Sequence, residues 1–129
     1  MSQTQVSPPK LAAHYQVLMT RRPPTAALDP IYRLLAQCSR DKLLEYDRPL
    51  ICTPLYHYET LSGWVVMLEG TPHHGMLVCM DEGQIPSLTF VAASGRSRKC
   101  GEAQLQQVLE ITRSWAPQAE RYAAPVETP

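Results

Sequence analysis

The chain has 129 residues, 44% of them apolar and 19% charged, and its twelve Lys and Arg balance twelve Asp and Glu. That is enough chain for one hydrophobic core, and it is too apolar, with too little net charge, for disorder throughout. A formal charge of zero removes any global field toward nucleic acid or an anionic membrane, so binding of that kind would have to be local.

Residues 1–9 are rich in Pro, Ser, Thr and Gln, which do little to repay ordering entropy, and a flexible tail is expected there. The first twenty residues contain no continuous apolar stretch of signal-peptide length, and no apolar run nears the ~18 residues of a membrane span. A cytoplasmic protein with no membrane contact is therefore expected. Residues 1–28 hold Lys10, Arg21 and Arg22 and no acid, a bias shared by organelle transit peptides, but two proline pairs and only two arginines weigh against one. Leu11, Tyr15 and Leu18 recur at helical spacing after Pro9, although 15–20 reads equally well as a strand, and Pro23 with Pro24 ends either.

Asp29 and Pro30 make a good helix start, because the carboxylate can accept from a free amide and proline has no donor to waste in a first turn. Ile31, Leu34, Leu35 and Cys38 then share one face. The spacing predicts a helix over about 29–39, reaching as far as 46 if Asp41, Leu43 and Leu44 add a turn before Pro49.

From Leu50 the pattern changes to short apolar runs at 50–58, 64–69, 76–81 and 88–93, separated by Gly or Pro. The connectors 60–63, 71–75 and 82–86 are too short for helical crossovers, so neighbouring strands must run antiparallel. An antiparallel meander of about four strands over 48–93 follows. Pro54 removes a ladder donor and so pushes the first strand toward an edge position or bends it there. Trp64, Val65, Val66, Met67 and Leu68 show no polar alternation, which predicts an inner strand covered on both faces. A last helix over about 101–116 supplies cover, since Leu105, Val108, Leu109, Thr112 and Trp115 form a stripe that Pro117 ends. The fold class is α+β, one domain over 10–116, with a second flexible tail at 117–129.

Cys38, Cys52, Cys79 and Cys100 lie 14, 27 and 21 positions apart, without the close pairs of metal knuckles or redox dithiols, and read as lone thiols. His73 and His74 with Cys79 and Asp81 come nearest to a metal cluster. Adjacent histidines on extended backbone point to opposite sides, however, so an exposed polar turn is expected and no metal or other cofactor is assigned. Cys52 with His57, or Cys79 with either neighbouring histidine, could pair a thiol with a base, but their apolar surroundings favour inert thiols.

Arg96, Arg98 and Lys99 form the one dense basic cluster, on a linker between the last strand and the last helix. Three charges in four residues could contact phosphates or an acidic partner. Tyr56, Tyr58 and Trp64 lie near the first strand and its turn, where they either cap the core or offer aromatic surface to a partner.

By elimination, the expected function is a small non-enzymatic protein-interaction module, an adaptor, chaperone, inhibitor or regulator. It would act through a sheet edge or a helix face, with a homodimer as one form. A nucleic-acid-associated regulator using the 96–99 loop is the second reading. A small enzyme with a Cys-based site, or with His57, His73 or His74 as its base, is the third.

Overall fold

The computed structural model describes residues 20–39, 47–58, 60–81 and 85–117. The two predicted tails, apart from Pro117, the Leu11 to Leu18 spacing and any helical extension through 40–46 lie outside those residues. In chain order the elements are β1 (Thr20–Arg22), a 3-10 turn (Ala26–Leu28), α1 (Asp29–Cys38), β2 (Leu50–His57) and β3 (Thr60–Leu68). A second 3-10 turn (Pro72–His74) follows, then β4 (Met76–Met80), β5 (Ser87–Val91), β6 (Ser97–Lys99) and α2 (Glu102–Arg113).

The fold is α+β: among the described residues the strands line up in sequence order as one antiparallel sheet of six, accompanied by two helices. The four predicted strands are β2 to β5. The two additions are the edge strands β1 and β6, each only three residues long, too short for a two-residue period to register. β6 is built from the basic run that reads as a linker in the sequence. Ser94 and Gly95 turn the chain back, with Gly95 at φ 95 and its amide donating to the Ala92 carbonyl at 2.9 Å.

The supposed connector 60–63 also proves to be strand. β2 and β3 form a tight hairpin in which His57 pairs with Thr60, and Tyr58 takes φ 59 at the turn. A bulge follows between the pairs Leu55–Gly63 and Tyr56–Leu61, and the displaced Ser62 donates its hydroxyl to the Leu55 carbonyl at 3.1 Å. Gly63 is required for close approach rather than for turning: a Cβ there would lie 2.3 Å from the Cys79 carbonyl oxygen on β4. The described part of β1 pairs with 50–52, so β2 is an inner strand at its start, and Pro54 lies beyond those pairs.

Alternation sorts the sheet into two faces. Leu50, Cys52, Trp64, Val66, Leu68, Leu77, Cys79, Leu88 and Phe90 are buried on one face and share a core with both helices. All five predicted members of the α2 stripe, Trp115 included, are buried in it. From α1 come Ile31, Leu34 and Leu35 as predicted, together with Tyr32, whose hydroxyl donates to the Arg48 carbonyl.

Two expectations need correction. Asp29 does not cap α1: the preceding 3-10 turn runs straight into the helix, Leu28 takes the capping position in helical conformation, and Asp29 is already in the first turn. Nor do the described residues cover β3 on both sides. Val65 and Met67 are only partly buried, and the second face carries no described element. Among the described residues, the apolar run records a second apolar face with no second layer above it.

Candidate functional site

A cleft of about 790 Å³ opens on the helix side of the sheet, where the end of α1, the Pro72–His74 turn and the β5–β6 hairpin meet. Arg96 and Arg98 are two residues apart along the returning strand and line the same cleft, as a two-residue period requires. Arg98 Nη2 donates to Cys38 Sγ at 3.1 Å, across 60 positions of sequence, and this contact raises the guanidinium pKa further. His73 and His74 form the opposite wall. They stand on a 3-10 turn, not on extended backbone, and their rings lie 4.2 Å apart between centroids, tilted by 37°. His74 is 7% exposed, so the expectation of a wholly exposed polar turn holds for His73 alone.

Packing fixes that turn. Gly75 sits at φ 92, and a Cβ there would meet the Phe90 ring at 2.4 Å, so the bare glycine lets Phe90 pass beneath the histidines and floor the cleft.

The other side of the sheet presents a different surface. Ile51, Thr53, Val65, Met67, Met76, Val78, Met80, Thr89 and Val91 all belong to the outward register and are all partly exposed. No described residue lies over them. At its margin Arg21 donates from Nε to Glu69 at 2.7 Å, so that pair of charges is internally neutralised. Comparison of the chain with protein-family models, curated proteins and solved structures finds no match.

The structure divides the residues singled out in the sequence. Arg96 and Arg98 come together, but Lys99 falls on the opposite face of β6 because alternation sends it there. Trp64 is 4% exposed and packs edge-on against Trp115 at 5.1 Å, beneath Arg22, whose guanidinium lies 4.3 Å from the Trp115 ring centre. It is core, not partner surface. Tyr58 is exposed at the hairpin turn against His57, and Tyr56 is half-buried.

The thiol and base pairs do not assemble. Cys52 is buried on the helix side while His57 is exposed at the far end of its strand, and burial pushes the Cys52 thiol up to about 12. Cys79 Sγ faces Thr112 Oγ1 at 3.9 Å, and burial raises its pKa as well. Asp81 is engaged by Arg113, with bonds of 2.8 and 2.9 Å, and so is not turned to a metal. Among the described residues no group of three or more His, Cys, Asp or Glu side chains converges as a metal site.

Proposed function

We propose that this chain is a protein-interaction module that seats an apolar helical segment of a partner on its open sheet face. The observation that supports this reading is the row of Val, Ile, Met and Thr side chains on the outward register of the inner strands, with no described element above it. The role is the one expected from the sequence, moved from a sheet edge or helix face to the sheet surface itself. Three of the side chains are methionines, which adapt to irregular apolar partners.

The area argues for the kind of occupant. Four inner strands ~4.8 Å apart, of 8, 9, 5 and 5 residues at ~3.4 Å rise, span roughly 440 Å². A stable standard interface needs about 800 Å² from each partner, so this patch is small for a homodimer and suits one helix. With Arg21 and Glu69 already paired at the margin, the patch favours an uncharged occupant over a highly charged one.

The test uses a fluorescent amphipathic helical peptide of Leu and Gln as probe. Saturable binding is expected, with Met67, Met76 and Met80 protected from peroxide oxidation, and Val78→Asp should abolish both while unfolding stays cooperative. Equal binding by Val78→Asp would refute the proposal. So would a chromatographic dimer in which those methionines are already protected. Protection without the probe that disappears when residues 1–19 are removed would instead assign the face to the chain's own N-terminal segment.

A further inference from the structure

We propose that the cleft between the end of α1, the 73–74 turn and the β5–β6 hairpin binds a small phosphate-bearing molecule through Arg96, Arg98, His73 and His74. The site lies on the helix side of the sheet, so it stands independently of the open apolar face. Its volume of about 790 Å³ falls within the range of small-ligand pockets.

Charge supplies the chemistry. The chain as a whole is neutral, yet two arginines and two histidines line this one cleft, and among the described residues no carboxylate does. Three other arginines are committed: Arg21 to Glu69, Arg113 to Asp81, and Arg22 over Trp115. Among the described residues, Arg96 and Arg98 have no carboxylate partner. Arg98 is held in place by the Cys38 sulfur, a weak acceptor, which leaves most of its five N–H donors for an anion. Two planar guanidinium forks on one strand face match the several oxygens of a phosphate better than a single point charge would.

Shape separates a small ligand from a nucleic acid. A strand of nucleic acid would call for a basic track, but Lys99 is on the far side of the sheet from Arg96 and Arg98. Among the described residues no exposed Phe, Tyr or Trp lines the cleft to stack successive bases, because Phe90 is 6% exposed and serves as floor.

Calorimetric titration with inorganic pyrophosphate tests the site, with a single-stranded oligonucleotide as a second arm. One-to-one saturable binding of pyrophosphate is expected. Arg96→Ala should weaken it roughly ten- to hundredfold, the effect of losing a hydrogen bond to a charged group, at an unchanged thermal midpoint. Arg98→Ala should weaken it similarly, and Lys99→Ala should leave it unaltered. Absence of saturable binding at millimolar pyrophosphate would overturn the proposal, as would equal losses from Arg96→Ala and Lys99→Ala. Tight oligonucleotide binding with a steep salt dependence would replace it with the nucleic-acid reading.

Discussion

Among single side chains, burial decides the chemistry of the cysteines. The Cys52 thiol, fully buried against the helices, is pushed up to about 12 by desolvation, although Arg22 pulls in the opposite direction. Cys100, at the rim of the core beside Cys38, is raised to about 11 chiefly by the same cause. A thiol raised by about three pH units holds roughly a thousandth of the usual thiolate at neutral pH, and the thiolate is the nucleophile. Native protein treated with iodoacetamide at pH 8 should therefore leave Cys52 unlabelled, and the same treatment in denaturant should label it. Rapid native labelling of Cys52, located by peptide mass mapping, would contradict its placement on the inward register of β2.

At the level of secondary elements, α2 holds the sheet's covered face. Leu109 is 1% exposed, between Leu105 and Thr112 on the buried stripe, while Glu102 in the first turn and Arg113 in the last suit the helix dipole. Leu109→Ala should lower stability by about 2–5 kcal/mol, read from a urea melt, because the space left behind closes only partly. A loss no larger than that of an ordinary surface substitution would mean the helix is undocked. The edge strands follow another rule. Each presents three described residues, and Pro23 with Pro24 and the Ser94–Gly95 turn stop the pairing on one side of each, which limits the exposed ladder there.

Across the molecule, one ion pair joins the end of β4 to the end of α2. Arg113 holds the Asp81 carboxylate below the usual carboxylate range, through its hydrogen bonds first and its charge in addition. With the folded pKa below the unfolded one, the contribution is present above the ordinary carboxylate range and is lost as pH falls through the folded value. Both partners are partly solvated, at 57% and 31% exposure, so the effect is modest. Thermal melts of Asp81→Asn should show a lower midpoint than the parent near pH 7, with the difference closing in acid. A difference that persists unchanged in acid would show that the carboxylate charge has no part in it.

Much of this architecture was legible one segment at a time. The α2 stripe, the start of α1 near Asp29 and the apolar runs of β2 to β5 are local patterns, and short connectors alone force the antiparallel order. The S-G turn at Ser94 and Gly95 carried the signal for β6, but a three-residue strand of polar residues offers no period to read. Which sheet face the helices cover could not be read, since an apolar run looks the same whether its second face is packed or open. Nor could the meeting of Arg98 with Cys38, or of both arginines with His73 and His74, because contacts across tens of residues arise from strand order and packing, and periodicity along the chain carries no record of them.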